Sequence, residues 1–170
     1  MRCGSYFLDG YRGVVMFTTR WYKTWPGCRR VIRGIRGDLH ETINAHLPDR
    51  FCRDQQYCVV FYNKKPCGVL KSGIHSEPGI VLPSAYPDGI PFICEAATTC
   101  EYRGAGEALF LAFLNKCGTP FWLKCMDDAA RQFWEHMGRK HKIPFREIGH
   151  TSWGTGVLGF GFHRQGKSSV

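Results

Sequence analysis

Short runs of apolar residues alternate with polar, glycine- or proline-rich stretches along the chain, and these runs predict strands and helices. Runs rich in β-branched and aromatic residues predict strands at 57–62, 67–75, 89–99, 119–126, 145–149 and 156–164. The first two strands and the last two are each close enough in sequence to form a hairpin. Helical patterns follow the third and fourth strands, over 106–116 and 127–142. The chain therefore mixes strands and helices within one globular unit.

The first half of the chain is less regular. Residues 18–25 predict a strand, and Asp38 is a predicted N-cap for a helix that ends at Pro48. Residues 76–91 contain four prolines and predict a loop. The predicted helix over 106–116 is apolar on all sides, so it is either buried within the chain or covers a homodimer interface.

The chain has 170 residues, enough for a single domain with a sizeable core. We find neither an apolar run of membrane-spanning length nor a secretory signal. The nine cysteines have spacings that are not typical of a zinc site. Several lie in apolar runs, which favours reduced, structural thiols and a cytoplasmic location, with a disulfide or metal framework as the alternative.

The net charge of +9 is concentrated near the N-terminus. Residues 1–36 contain eight basic residues and one acidic residue, which leaves +2 for the rest of the chain. Trp21, Tyr22 and Trp25 lie among these arginines, an arrangement that suits phosphate contacts and base stacking. This segment predicts a nucleic-acid partner (tRNA or DNA) as one alternative and a merely basic surface as the other.

Two glycines precede the predicted helix at 106–116, in the stretch Arg103-Gly104-Ala105-Gly106. The first N–H groups of a helix have no intrahelical acceptor, and a turn without side chains lets an anion approach them. A P-loop is excluded because Gly-Lys-Ser/Thr is missing, and the dinucleotide pattern fails because Leu109 occupies its last position. A pyrophosphate site and a plain glycine turn both remain open at this point.

The stretch Arg103-x-x-Gly106-x-Ala108 resembles the Arg/Gln-x-x-Gly-x-Gly/Ala signature of the GNAT superfamily of N-acetyltransferases. Downstream, Ala130-x-x-Phe133-Trp134-Glu135 is similar to the Ala-x-x-Phe-Tyr-Glu pattern of that superfamily. The order of elements over 38–164 also resembles it, after a basic, aromatic segment at 1–37. The resemblance implies an α+β, three-layer fold, with a mixed, mostly antiparallel central sheet and helices on both faces.

The resemblance also implies an acyl-CoA-dependent N-acyltransferase that uses acetyl-CoA as co-substrate and needs no metal. The pyrophosphate of acetyl-CoA would bind the backbone N–H groups of Arg103, Gly104, Ala105, Gly106, Glu107 and Ala108. The pantetheine arm of acetyl-CoA would pair with the backbone of Ala96, Ala97 and Thr98. Asp127 lies where the superfamily often has an Asn near the cofactor arm, or it is only a helix cap.

Glu95, on the predicted central strand, is the candidate general base, and partial burial would raise its pKa. The alternative is that Glu95 pairs with an arginine, and His75, Glu77 and Asp88 are further candidates. Trp134 occupies the catalytic position where the superfamily often has a Tyr that protonates the leaving thiolate. Indole N–H is a hydrogen-bond donor but not a useful acid at neutral pH.

Two functions follow from these observations. The first is an active N-acyltransferase whose acceptor amine is unknown, with a nucleic-acid-linked amine such as aminoacyl-tRNA as one alternative. The second is a GNAT-like module without catalysis, which binds nucleic acid or a protein through its basic N-terminal segment. The intact stretch at 103–108 favours the first function, and Trp134 favours the second.

Overall fold

The computed structural model describes residues 3–10, 13–32, 52–75, 89–99, 102–125, 127–150 and 156–161. The strands in these ranges are β1 (Cys3–Gly10), β2 (Gly13–Tyr22), β3 (Cys52–Tyr62), β4 (Lys65–His75), β5 (Ile90–Thr98), β6 (Phe121–Lys124), β7 (Phe145–His150) and β8 (Gly156–Phe160). The helices are α1 (Trp25–Ile32), α2 (Ala105–Cys117) and α3 (Asp128–Lys140). The helix predicted after Asp38 and most of the loop predicted at 76–91 lie outside the described residues.

The strands form one sheet in the order β1-β2-β3-β4-β5-β6-β8-β7. Each neighbouring pair is antiparallel except β5 and β6, which are parallel. Residues of α2 and α3 share one core cluster, whereas residues of α1 belong to another. The predicted fold class, a mostly antiparallel mixed sheet with helices on both faces, is therefore confirmed.

The alternation of side chains along β3 shows how the two cores arise. Cys58 and Val60 pack in the cluster beneath α2 and α3, whereas Tyr57 and Val59 pack in the cluster beneath α1. Successive residues of a strand point to opposite faces, so an uninterrupted apolar run fills both sides of the sheet. The run at 57–62 is therefore the sequence of a strand that is buried on both faces.

The N-terminal segment is more regular than its sequence predicts. β1 and β2 form a hairpin that extends the sheet, and β2 ends at Tyr22 rather than at Trp25. Trp25 instead begins α1, because Pro26 cannot donate within a sheet but is tolerated in the first turn of a helix. The strand predicted at 18–25 is therefore wrong in its last three residues.

The apolar helix α2 is buried within the chain. Its residues Ala108, Leu109, Phe110, Ala112 and Phe113 are at most 2% exposed. Burial against the sheet and α3 accounts for the apolar character of the helix without a dimer. None of the described helices is long and apolar enough to cross a membrane.

Candidate active site

A gap opens between β5 and β6 in the middle of the sheet. These parallel strands pair only at Phe92–Trp122 and Ile93–Leu123. β5 then continues for five residues to Thr98, and the last four of them pair with β4. Within the described ranges, no strand pairs with the β6 side of residues 94–98. The backbone groups of residues 96–98 on that side are therefore available to an extended ligand.

The residues along this gap include the three that the sequence assigned to a pantetheine arm. Ala96 and Thr98 are exposed, and Ala97 is half-buried. Just before them, the register between β4 and β5 shifts, because Cys94 has no counterpart on β4. Such a bulge bends the strand and changes the direction of nearby side chains. The bulge therefore lies where the two parallel strands separate.

The turn that leads into α2 lies after the end of β5. Gly104 has φ +93°, a left-handed conformation that favours glycine, and α2 begins at Ala105. Among the described residues, no side chain caps this helix, and no backbone carbonyl accepts from the N–H groups of Gly104, Gly106 or Glu107. These amides lie at the positive end of the helix dipole, and free amides at this position of a helix are suited to bind anions.

Two of the six amides that the sequence assigned to pyrophosphate are already used within the chain, which corrects that assignment. The Ala105 N–H donates to the Tyr102 carbonyl at 3.3 Å, and the Ala108 N–H donates to the Gly104 carbonyl at 2.9 Å. The second bond is the ordinary i to i−4 bond of a helix that has already started. The candidate anion site therefore consists of fewer amides than the motif implied.

The N-terminus of α3, by contrast, is capped by its own chain. The Asp127 carboxylate accepts from the Ala130 N–H at 2.7 Å. This confirms the helix-cap interpretation of Asp127. Because β5 and β6 are parallel, α2 and α3 both begin near the same end of the sheet, but only α2 begins without a cap among the described residues.

Gly106 has a packing role that its motif does not indicate. A Cβ atom at this position would lie 2.9 Å from Cζ of Phe133 and 3.1 Å from its Cε2. These distances are shorter than ordinary van der Waals contact, so glycine allows α3 to approach the first turn of α2. Gly106 thus has a packing role in addition to the expected one, which is to keep side chains away from the phosphates.

Glu107, in the same turn, is directed towards α3. It is 7% exposed, and its carboxylate accepts from Lys140 Nζ at 2.7 Å and lies 2.9 Å from His141 Nε2. These contacts connect the first turn of α2 to the end of α3. The backbone N–H of Glu107 belongs to the candidate anion site, whereas its side chain has a structural partner.

Glu95 lies on β5, two residues beyond the last pair with β6. Its side chain is half-buried, and the residue directly opposite on β4 is Lys71. The sequence offered pairing with an arginine as the alternative to catalysis, which stays a prediction, and the register places a lysine beside Glu95. Glu77 and Asp88 lie outside the described residues, and so does the side chain of His75.

Trp134, the second predicted catalytic residue, lies in the core. It is 6% exposed, and its ring centroid is 4.9 Å from that of Phe133 and 6.1 Å from that of Phe110. Within the described residues, its surroundings are thus largely aromatic. A packing role accounts for its position in α3, and its catalytic assignment stays a prediction.

The six cysteines whose side chains the structure describes are free thiols, of which four are buried and two are partly buried. Burial raises the pKa of Cys28 to about 12 and the pKa values of Cys67 and Cys125 each to about 11. These three therefore remain protonated and poorly nucleophilic at neutral pH. Among the described side chains, no group of three His, Cys, Asp or Glu residues could hold a metal ion.

A separate cavity of about 730 Å³ lies beside the C-terminal end of α2. Its walls include Ser72, Pro91, Lys116 and Cys117. With 13 residues, α2 is about 20 Å long, so this cavity and the uncapped turn lie at opposite ends of the helix. The cavity is distinct from that turn.

Sequence reasoning missed three features of this region: the bulge at Cys94, the contact between Gly106 and Phe133, and the burial of Lys71. The lysine had a detectable signal, because it interrupts the otherwise apolar and small residues of 67–74. The other two depend on residues that are brought together only by the fold.

No protein-family model and no curated protein matches the sequence. Several solved structures resemble the fold. An uncharacterized protein from Bacillus halodurans has a TM-score of 0.56 at 13% identity, with 92% of this chain and 89% of that chain covered. The GNAT domain of S. lividans PAT has a TM-score of 0.54 at 10% identity, with coverage of 85% and 90%. A putative acetyltransferase of the GNAT family from Desulfovibrio desulfuricans has a TM-score of 0.51 at 14% identity, with coverage of 85% and 96%. The chain thus has the GNAT fold.

Proposed function

We propose that this protein is an acyl-CoA-dependent N-acyltransferase that transfers an acyl group, in the first place acetyl, to an amine. The observation that carries the proposal is the gap between β5 and β6 beside the uncapped start of α2. An extended amide-containing arm fits the side of residues 96–98 that does not pair with β6, and a pyrophosphate fits the free amides of α2. The same fold thus presents backbone groups that can bind the pantetheine arm of CoA and amides that can bind its pyrophosphate.

In the proposed reaction, the neutral amine nitrogen attacks the thioester carbonyl carbon, a C–N bond forms, and the C–S bond breaks. Backbone N–H groups beside the bulge at Cys94 stabilise the negative charge that develops on the carbonyl oxygen. Glu95 accepts the proton that the amine loses, directly or through water. Because the indole of Trp134 is not an acid at neutral pH, the thiolate takes its proton from another group or from water.

The acceptor, as a further part of the proposal, is an amine linked to nucleic acid, such as aminoacyl-tRNA. The exposed side chains of Arg29 and Arg30 on α1 support it, together with exposed Lys23 before the helix. Arg29 and Arg30 lie on the side of the sheet that α1 covers, which is also the side of Tyr57. The free, buried thiols support a reducing, cytoplasmic location as part of the same proposal.

Calorimetry with acetyl-CoA tests the proposed site. Arg103 is exposed beside the free amides, so Arg103→Glu places a negative charge there without disturbing the core. We expect its acetyl-CoA affinity to fall by about tenfold or more, since hydrogen bonds to charged groups contribute about 1.5–3 kcal/mol. Arg146→Glu is the matched control, an exposed charge reversal on β7, and should change the affinity less than about twofold.

Absence of acetyl-CoA binding by the wild-type protein would remove the proposal, and so would equal effects of the two charge reversals. Thiol release from acetyl-CoA in the presence of spermine, poly-lysine or total aminoacyl-tRNA then tests the chemistry. Binding of acetyl-CoA without turnover on any of these amines would favour the non-catalytic module instead. Turnover with spermine and poly-lysine but not with aminoacyl-tRNA would reject the nucleic-acid-linked acceptor alone.

A further inference from the structure

A polar row crosses three strands on the face of the sheet that α1 covers. Tyr57 on β3 is directly opposite Lys71 on β4, and Lys71 is directly opposite Glu95 on β5. Residues that are directly opposite each other in antiparallel strands point to the same face, so these three side chains are neighbours. Tyr57 belongs to the core cluster beneath α1, which identifies the face.

Lys71 is 2% exposed. A lysine is almost never fully buried unless its ammonium has a polar partner, because removing a charge from water is costly. Glu95 is the only acidic residue in the sequences of β4 and β5, and it is the one that the register places opposite Lys71. Opposite Cβ atoms in such pairs are about 5 Å apart, so the ammonium and the carboxylate can meet.

The other neighbour of Glu95 is the gap. Pairing between β5 and β6 ends at Ile93, and the bulge at Cys94 comes immediately before Glu95. Glu95 therefore lies between Lys71 on the β4 side and the proposed thioester site on the β6 side. A base at this position needs to remain ionised and oriented when a substrate displaces the surrounding water, and a nearby cation favours the ionised form.

We infer that Lys71 is a positioning residue, which holds the carboxylate of Glu95 ionised and oriented for proton removal from the acceptor amine; the inference rests on the proposed function. Glu95 takes the proton as the C–N bond forms. Lys71 contacts neither substrate and exchanges no proton with the amine. Its role is thus distinct from the binding of acetyl-CoA.

The test compares wild type, Lys71→Met, Glu95→Gln and the double variant, with acetyl-CoA and whichever of spermine, poly-lysine or aminoacyl-tRNA gives the fastest turnover. We expect each single change to lower kcat by about tenfold or more, with KM for acetyl-CoA changed less than about twofold. The double variant should be within about twofold of Glu95→Gln, because the lysine acts only through the carboxylate. Lys71→Arg should recover about a third or more of the wild-type rate, since it keeps the charge.

Lys65→Met, an exposed lysine on the same strand, is the control and should leave kcat unchanged. Independent, multiplicative effects of the Lys71 and Glu95 changes on kcat would overturn the inference, as would an equal loss in Lys65→Met. Urea unfolding of wild type, Lys71→Met, Glu95→Gln and the double variant tests the Lys71–Glu95 pair without measuring activity. Additive losses of stability would overturn the inference even in an active enzyme. A wild type that binds acetyl-CoA but acylates no amine would instead remove the proposed function and the positioning role with it, whereas coupled unfolding would retain the Lys71–Glu95 pair.

Discussion

Replacement of Gly106 by alanine tests how closely α2 and α3 approach each other. The added Cβ atom would lie 2.9 Å from Cζ of Phe133, whereas ordinary carbon contacts begin at about 3.5 Å. The ring or the helix must therefore move by roughly half an ångström, and overpacking of this kind costs about 1–3 kcal/mol. Alanine also favours a helix over glycine by at most about 1 kcal/mol, which offsets part of the cost.

Phe133→Ala removes the obstacle and provides the matched background. We expect Gly106→Ala to lower the free energy of unfolding in the wild type and to raise it slightly in Phe133→Ala. The effect of Gly106→Ala on the free energy of unfolding should differ by about 1–3 kcal/mol between the two backgrounds. Urea unfolding measures this, provided that the dependence of the free energy on urea concentration is the same for all four proteins. The same change in stability in both backgrounds would refute the contact.

Acetyl-CoA affinity of the same four proteins separates packing from ligand access. Because the position of a Cβ atom at Gly106 is on the side of Phe133, Gly106→Ala should leave the affinity within about twofold in the Phe133→Ala background. A large loss of affinity in both backgrounds would show that the glycine keeps the ligand site itself open. Calorimetry at a temperature where all four proteins are folded measures this.

Two further predictions concern stability. Glu107→Gln should lower the free energy of unfolding by about 1–3 kcal/mol, because the buried carboxylate loses a charged hydrogen bond with Lys140. The control Glu135→Gln, at a more exposed carboxylate on α3, should cost less than about 1 kcal/mol. Equal costs of the two changes in urea unfolding would contradict this prediction. Burial raises the pKa of Cys67 from 9.0 to about 11, so the protonated thiol stabilises the fold fully below pH 9 and that contribution is lost as the pH rises towards 11. Cys67→Ala should therefore reduce the loss of stability between pH 8 and pH 10.5, and an unchanged pH dependence would reject the assignment.

Much of the fold could be predicted because local chemistry and tertiary structure agree. The hairpin of β3 and β4 turns at Asn63 and Lys64, both with positive φ, between the predicted strands at 57–62 and 67–75. The bounds of α2 and α3 are within two residues of the helical patterns, and Asp127 caps α3 as its residue type favours. The order of elements after 57 could therefore be predicted from periodicity and turn residues alone.

The features that give the site its shape could not be predicted in this way. The short pairing of β5 with β6 depends on strand register, which periodicity does not specify between non-adjacent segments. The contact of Gly106 with Phe133 joins two helices that are separated in the sequence by β6, so the local sequence of neither helix indicates the contact. The hairpin of β1 and β2 was missed because charge and glycine obscured its alternation.

The early separation of β5 from β6 gives the protein an edge strand in the interior of its sheet. Exposed edges bind other extended chains and are a common cause of aggregation. Here the stretch of β5 that does not pair with β6 lies in the middle of the strand order, with two strands beyond β6, so a second protein chain has far less access to it than to β1 or β7 at the rims. A narrow molecule that presents amide groups in line can still add there as a partial strand, in the manner of β-augmentation. The sheet thereby combines an edge that an extended small ligand can join with protection against pairing with other proteins.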